Sequence, residues 1–141
     1  MATKIFVNLP VKNLDRSIQF FTKLGYSFNP QFTDEKATCM IISEDIYVML
    51  LTEPFFKTFT SKQVADTNQT TEVILALSTD NRKEVDLLVK KAFEAGATRH
   101  NDPQDFGWMY QHGFQDLDGH LWEVFYMDPA AVPQQEAAHQ N

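Results

Sequence analysis

FQDLDGHLWEVF, residues 114–125, contains two β-type stretches on either side of an Asp-Leu-Asp-Gly sequence. Asp and Gly favour tight turns, whereas the aromatic and β-branched residues around them favour strands. The segment therefore predicts a hairpin in which strands 108–115 and 121–127 are joined by a turn at residues 116–119. Because successive side chains of a strand point to opposite faces, Glu123 is expected on the face opposite to its two neighbours.

The residues before this hairpin add a strand and a helix. TEVILALS, residues 71–78, is a strand signal, and residues 82–95 have apolar side chains at helical spacing. Asn81 is a suitable residue to cap the start of this helix, and Gly96 is a suitable residue to end it. With a short strand near residues 98–101, the second half of the chain is predicted to be β-α-β-β-β.

The first half repeats this order. A strand over residues 4–11 precedes a helix over residues 14–24, and three short strands follow. Equivalent positions in the two halves are about 70 residues apart, which indicates an internal repeat. The predicted fold is α+β, with two βαβββ halves, residues 4–52 and 71–127, in one domain over residues 1–128. The two sheets are expected to form one cup-like arrangement, with the helices outside and a ligand cleft between the sheets.

Residues 53–70 form a linker between the halves that is longer than an ordinary loop. Phe55, Phe56 and Phe59 lie near its start, and three aromatic side chains in a polar segment need a covering surface. The cleft, the core or a second subunit could provide that surface, and a homodimer is expected. The final segment, residues 129–141, has almost no large apolar side chain and is expected to be disordered.

The composition argues against several classes of function. The chain has 141 residues and a formal charge of −7, which argues against nucleic-acid binding and favours a cationic ligand. A single cysteine, Cys39, excludes an internal disulfide framework and a cysteine-cluster zinc site. The longest apolar run, residues 46–51, is too short to span a bilayer, and the N-terminus lacks the apolar run of a signal peptide. A cytoplasmic protein without membrane contact is therefore expected.

The two halves, the first-helix segment LPVKNLDRSIQFFTKLGY and the late hairpin together resemble the vicinal oxygen chelate superfamily. This superfamily includes glyoxalase I, bleomycin-resistance proteins and extradiol dioxygenases. The best marker is an Asp-x-Asp-Gly turn with a strand glutamate four residues later, here Asp116, Asp118, Gly119 and Glu123. The resemblance covers residues 4–127 and implies the glyoxalase/bleomycin-resistance/dihydroxybiphenyl-dioxygenase fold. It is more specific for the fold than for a reaction.

Metalloenzymes of this superfamily hold a divalent ion through His or Glu side chains on up to four strands. Carried over to this sequence, the four positions are Phe6, Leu50, Ile74 and Glu123. The resemblance therefore implies an incomplete metal site and no cofactor, because a metal site needs about three protein donors. A shift of two residues along each strand keeps the same face and introduces Asn8, Val48 and Glu72. Asn8, Glu72 and Glu123 would form an oxygen-rich set suited to Mg or Mn, so a divalent metal stays an alternative.

The predicted cleft is largely apolar, with one acid and one amide, and is lined by Phe6, Asn8, Leu50, Ile74, Glu123 and Phe125. The first functional hypothesis is a small-molecule-binding protein, like the bleomycin-resistance branch, that holds its ligand without a metal. One alternative is a metal-dependent glyoxalase-like lyase or extradiol-dioxygenase-like enzyme that uses Glu123 as a ligand. Another is a cofactor-free isomerase that combines Glu123 with Tyr110 or His112.

The histidines have no spacing typical of a metal site. His120 follows the hairpin turn and is interpreted as a solvated turn residue. His100 lies in a loop, with no ligand-like spacing to the other histidines or to Cys39. Tyr110 and His112 share one face of their strand with Phe114, a pattern usual for a core, and the sequence leaves open which face of the sheet that is.

Overall fold

Two four-stranded mixed sheets, one from each half of the chain, form the fold in a computed structural model that describes residues 3–131. In the first sheet, β1 (Ile5–Val11) pairs in parallel with β4 (Ile46–Thr52). Strands β3 (Ala37–Ile41) and β2 (Ser27–Asn29) continue the sheet in antiparallel pairing. Helix α1 (Leu14–Leu24) connects β1 to β2.

The second half repeats this arrangement after a linker that begins with a short helix, α2 (Glu53–Phe56). Its elements, in chain order, are β5 (Ile74–Ser78), α3 (Arg82–Glu94), β6 (Gln104–Asp105), β7 (Met109–Gln115) and β8 (Leu121–Met127). Strand β5 pairs in parallel with β8, and β7 and β6 follow in antiparallel pairing. The predicted α+β fold with two βαβββ halves is therefore confirmed.

The outer edge of the second sheet is irregular. Instead of a strand near residues 98–101, a single bridge joins Thr98 to Gln115, and regular pairing resumes only at β6. The residues between these two contacts leave the sheet edge. This irregular segment becomes important below because it brings polar side chains back over β7.

Both long helices begin and end as the sequence predicts. The side chain of Asn13 accepts a hydrogen bond from the backbone N–H of Arg16, and Asn81 accepts one from the N–H of Glu84. After α1 the chain turns at Gly25, whose φ is 107°, a conformation that favours glycine. These local signals fix the helix ends independently of the packing between the halves.

Helix α1 links the cores of the two halves. It packs on β3 and β4 of its own sheet and also contacts α3. Its Phe20 ring lies 6.2 Å from the ring of Phe114 in β7, and its Phe21 ring lies 5.3 Å from Trp122 in β8. One apolar core therefore runs through both halves, and burial of these aromatic side chains holds the halves together.

The faces of the first sheet follow from this core. Leu9 and Leu50 are paired across β1 and β4, and both are core residues, 1% and 0% exposed. The prediction that Leu50 lines the ligand cleft is therefore wrong, since Leu50 points toward the helices. The opposite face, called the outer face below, carries Asn8 and its paired neighbour Met49.

The structure also gives the face of the aromatic stripe in β7. The His112 ring lies 6.0 Å from Phe93 of α3, and the Tyr110 hydroxyl donates a hydrogen bond to Asp86 of the same helix. Both side chains therefore point toward the helices. They lie on the face of the second sheet opposite to Glu123.

The described residues end before most of the predicted tail. Residues 129–131 form a turn after β8, and the expectation of disorder for residues 132–141 lies outside the described residues. Within residues 3–131, no helix has both the length and the apolar character needed to cross a membrane.

Candidate functional site

Glu123 lies on the outer face of the second sheet, near the middle of β8. Its strand neighbours across the sheet are Ala76 of β5 and Gly113 of β7. Alternation places Phe125 on the same face, as the sequence predicts, and Ile74 joins them through its pairing with Leu121. The Glu123 side chain is 16% exposed, so it is largely covered without being sealed from solvent.

Two side chains from the irregular edge segment hold the Glu123 carboxylate. The Nε2 atom of His100 lies 3.0 Å from Oε2 of Glu123. The Asn101 amide donates to both carboxylate oxygens, over 3.2 and 3.3 Å. The three residues form a polar cluster on a face that is otherwise mainly apolar, and Glu123 accepts hydrogen bonds from this cluster rather than from an arginine.

Gly113 provides the space for this cluster. A Cβ atom added at Gly113 would lie 1.9 Å from Oε2 of Glu123 and 2.6 Å from Nε2 of His100. It would also lie 2.5 Å from the backbone oxygen of Trp122, which cannot move aside as a flexible side chain could. Because Gly113 has no side chain, His100 and Asn101 can fold over β7 at this position and reach Glu123.

The other predicted cleft residues lie on the first sheet. Phe6 and Asn8 occupy the outer face of β1, and the Phe6 ring stacks on Tyr47 with 4.7 Å between ring centroids. The outer faces thus divide the predicted residues into two groups, Phe6 with Asn8, and Ile74 with Glu123 and Phe125. Both Phe6 and Ile74 are about half exposed, at 49% and 55%.

The residues present do not fit the metal site of the superfamily. Phe6 and Ile74 have no donor atoms, and Leu50 points into the core. Among residues 3–131, no group of three or more His, Cys, Asp or Glu side chains is arranged to hold a metal ion. Glu72, from the alternative oxygen-rich set, contacts His120 instead of joining Glu123. His100 and Glu123 give this cluster two donors of the types that zinc, nickel and iron prefer, fewer than the three that such a site needs.

His120 is a second polar centre, and it connects separate parts of the chain. It is 2% exposed, which corrects its interpretation as a solvated turn residue. Its Nε2 atom lies 2.7 Å from the backbone oxygen of Pro10, and its Nδ1 atom lies 2.9 Å from Oε1 of Glu72. A carbonyl and an ionised carboxylate can only accept hydrogen bonds, so this geometry favours the imidazolium form of His120, in which both ring nitrogens donate.

The surroundings of His120 stabilise this charge. Burial alone lowers the pKa of His120, but the carboxylates of Asp116 and Glu72 and the Pro10 carbonyl outweigh it and raise the pKa above its usual value. Asp116 accepts hydrogen bonds from the Trp122 indole and from the backbone N–H of His120. Burial raises the pKa of Asp116, while the His120 cation and these donors oppose the rise.

The chain is an α+β protein made of two βαβββ modules that share one core. Its candidate site carries a carboxylate, Glu123, on the outer face of the last strand. The family model described as bleomycin resistance protein-like N-terminal matches residues 3–43. A search of curated proteins gives no significant match.

Solved structures extend the similarity to most of the chain. A hypothetical protein from S. aureus is 32% identical, with 89% of this chain and 95% of that chain covered and a TM-score of 0.74. A glyoxalase/bleomycin resistance protein/dioxygenase family enzyme from Burkholderia phytofirmans is 15% identical, with 90% and 100% covered and a TM-score of 0.77. An antibiotic-binding protein from Streptomyces is 17% identical, with 91% and 98% covered and a TM-score of 0.66. These structures give the chain the glyoxalase/bleomycin resistance fold, and together with the family model over residues 3–43 they are consistent with the vicinal oxygen chelate superfamily.

Sequence reasoning found Glu123 but missed its partners. His100 and Asn101 precede Glu123 by more than 20 residues and lie in a segment without regular periodicity. The one signal that pointed to them is Gly113, a glycine inside a strand pattern, which often marks a close approach by another group. The role of His120 was hidden because its partners come from β1 and from the linker.

We predict that the contribution of His120 to the free energy of unfolding is lost as the pH rises above 6.5. Its folded-state pKa is raised above 6.5, so its contribution is complete below pH 6.5 and is lost as the pH rises through the folded pKa. Urea unfolding of the parent and of His120→Gln, at a pH near 6 and at several higher pH values, measures the difference in the free energy of unfolding between them. Near pH 6 the free energy of unfolding of the variant is expected to be about 3 kcal/mol below that of the parent. This gap between variant and parent is expected to become smaller at higher pH. A difference that stays constant with pH would contradict the assignment of a charged His120.

Proposed function

We propose that this protein binds a small molecule, as bleomycin-resistance proteins do, and that it does so without a bound metal. The observation that carries this proposal is that Glu123 keeps its carboxylate at a former metal position and is hydrogen-bonded to protein side chains. Of the four positions at which the superfamily holds its metal, only Glu123 has a donor side chain, and this side chain is held by His100 and Asn101. The cluster has the character of a recognition site for a polar group of a ligand.

The chemistry of the outer face favours a cation with an apolar body. A carboxylate has about four acceptor positions, and the protein donors concentrate on Oε2, so Oε1 of Glu123 retains capacity for a ligand donor. Phe125 and Ile74 supply apolar surface beside it. The net charge of −7 attracts cations to the protein as a whole. A hydroxyl or amine at Glu123, with rings packed on Phe125, satisfies these features.

The comparisons support the class of function but not the identity of the ligand. The Streptomyces relative is an antibiotic-binding protein of the same fold, at 17% identity. A fold supports many functions, so the argument for this chain depends on its own site residues. The proposal is therefore a binding protein for a small compound, with a cationic aromatic antibiotic as the first class to test.

We also propose a homodimer in which the outer faces are covered by a second copy. Phe6 and Ile74 are large apolar residues that one copy leaves about half exposed. If the outer face of the first sheet of one copy packs on that of the second sheet of the other, Phe6 and Asn8 of one copy come near the Glu123 cluster of its partner and enclose a cleft. Phe55 and Phe56 of the linker contribute less, because Phe55 packs edge-on against Phe59 and Phe56 lines an open cavity of its own chain.

A second candidate function uses the same cluster as a catalyst. A histidine hydrogen-bonded to a carboxylate is a suitable pair for general acid–base chemistry, and His100 with Glu123 has this arrangement. Tyr110 and His112 cannot supply the second group because both point toward α3. A cofactor-free isomerase would therefore rely on His100. Recovery of the ligand after incubation separates the two functions, since a binding protein returns it unchanged.

We predict that Glu123→Gln weakens binding of a cationic ligand. Titration calorimetry with bleomycin and with a panel of cationic aromatic antibiotics measures this effect. A ligand that binds the parent is expected to lose about tenfold or more in affinity, because a hydrogen bond to a charged group contributes about 1.5–3 kcal/mol. Glu94→Gln removes the same charge from an exposed position on α3 and should leave binding unchanged. Equal affinity of Glu123→Gln and the parent would overturn the site.

The dimer is tested by light scattering at micromolar concentration. The parent is expected to have about twice the chain mass of 16.2 kDa, and Phe6→Ser to shift it toward the single-chain mass. Phe59→Ser changes a phenylalanine that is 64% exposed on the linker and should leave the dimer intact. A parent species of 16.2 kDa would refute the dimer, and dissociation by Phe59→Ser alone would place the contact on the linker instead.

A further inference from the structure

Strand β1 lies at an edge of the first sheet. The sheet order places β4 on one side of it and, within residues 3–131, no strand on the other. In a parallel pair, a residue points its N–H and its C=O to the same side, and successive residues alternate between the two sides. The N–H of Ile5 donates to the backbone oxygen of Asp45, just before β4, over 2.9 Å. Ile5 and every second residue after it therefore face β4, whereas Phe6, Asn8 and Pro10 direct their backbone groups to the free edge.

A contact of Pro10 agrees with this direction. Its backbone oxygen lies 2.7 Å from Nε2 of His120, which belongs to the second half and not to the first sheet. A proline lacks an N–H, and it is tolerated in a strand where that N–H would face no neighbouring strand. Two independent contacts, at Ile5 and at Pro10, therefore give the same alternation along β1.

An open cavity of about 350 Å³ lies beside this edge. Residues 7–10 of β1 line part of it, and Phe56, Ala65 and Val73 give it apolar walls. The other lining residues are polar and come from the linker: Thr60, Lys62, Gln63 and Glu72. The exposed surface of the cavity is mainly apolar, and its volume lies within the range of small-molecule pockets.

The linker that bounds the cavity is docked on the second half by two specific contacts. The Thr67 hydroxyl donates to the backbone oxygen of Asp118, in the turn before β8. Oε1 of Glu72 lies 2.9 Å from Nδ1 of His120. The carboxylate of Glu72 is therefore engaged with the protein, and the cavity is a formed feature of the fold.

Asn8 is the residue of β1 that offers both a backbone donor and a backbone acceptor to the cavity. Phe6 does not line the cavity, and Pro10 has no N–H and shares its oxygen with His120. Within residues 3–131, no hydrogen bond involves the backbone N–H or C=O of Asn8 at the free edge. A mainly apolar cavity with one directed donor and acceptor pair has the usual composition of a small-molecule site.

We propose that this cavity binds a small peptide-like molecule, one extended residue of which pairs with Asn8. Two opposed residues of an antiparallel pair exchange both of their N–H···O bonds. A ligand residue between two amide bonds supplies an N–H for the Asn8 oxygen and a C=O for the Asn8 N–H. Its apolar groups pack on Phe56, Ala65 and Val73. The pairing is limited to one residue, because Pro10 ends the row of free backbone groups.

This site does not rest on the function proposed for Glu123. It uses the edge of β1 and the linker, whereas Glu123 lies on the outer face of the second sheet and does not line the cavity. The ligand is recognised by its amide groups rather than by a positive charge.

The experiment is a titration of the ¹⁵N-labelled parent with N-acetyl-leucine N-methylamide, followed by the backbone amide signals in NMR spectra. A saturable shift of the Asn8 amide signal is expected, with a dissociation constant of about 1 mM, as is usual for a ligand of this size. The control ligand is N-acetyl-N-methylleucine N-methylamide, which lacks the N–H that would donate to Asn8. It is expected to bind about fivefold more weakly, since one hydrogen bond is lost. Equal dissociation constants for the two ligands, or an unshifted Asn8 signal, would overturn the proposal.

Variants locate the probe, with thermal unfolding as a check that each one is folded. Asn8→Pro removes the free N–H without removing a bond to β4 and should weaken binding about fivefold. Asn8→Ala removes the side-chain amide, keeps the backbone groups and should bind as the parent does. Ala65→Phe fills the cavity and should weaken binding even if Asn8→Pro does not fold. An equal loss in Asn8→Ala and Asn8→Pro would overturn recognition by the backbone.

Glu123→Gln separates this site from the proposed function. It should leave binding of the leucine derivative unchanged, whatever its effect on a cationic ligand. Loss of the leucine derivative in Glu123→Gln would assign the probe to the outer face and overturn the site at the edge of β1.

Discussion

One hydrogen bond of the buried His120 side chain connects the two halves of the chain, which no sheet pairing joins. One ring nitrogen donates to Pro10 at the end of β1, and the other donates to Glu72 at the end of the linker. Asp116, in the turn before β8, supplies a carboxylate beside the same ring. A buried charge requires such partners, since an isolated one would cost several kcal/mol. The relative position of the two halves depends on this arrangement.

The aromatic core provides the apolar part of the same connection. Phe20 and Phe21 of α1 pack against Phe114 and Trp122 of the second sheet, so the helices occupy the inner faces and the outer faces stay accessible. This packing explains why Glu123, Phe125 and Ile74 are available to a ligand or a second copy. Phe6 belongs to the first sheet and Glu123 to the second, so each outer face carries its own group of predicted site residues.

The sequence was sufficient for most of the helices and strands, though not for the irregular edge near residues 98–101, and it was insufficient for the contacts between the elements. Capping at Asn13 and Asn81 depends on neighbouring residues, so it could be predicted, and alternation in β8 correctly placed Glu123 opposite to Trp122. Strand β4 is apolar on both faces, so its pattern does not show which residues face the helices, and Leu50 was assigned to the wrong face. The partners of Glu123 come from an irregular segment, for which periodicity gives no information.

The Glu123 cluster occupies the position where metalloenzymes of the superfamily hold a metal ion, so the proposed function depends on recognition without a metal. The most direct measurement is metal analysis by inductively coupled plasma mass spectrometry of protein purified without chelator, then incubated with Mg, Mn, Fe, Ni and Zn and desalted. The cluster has two donor side chains of metal-ligating type, His100 and Glu123. We therefore predict that the desalted protein retains far less than one metal ion per chain for each of these metals. Retention of about one equivalent of any of these metals, lost in Glu123→Gln, would contradict it.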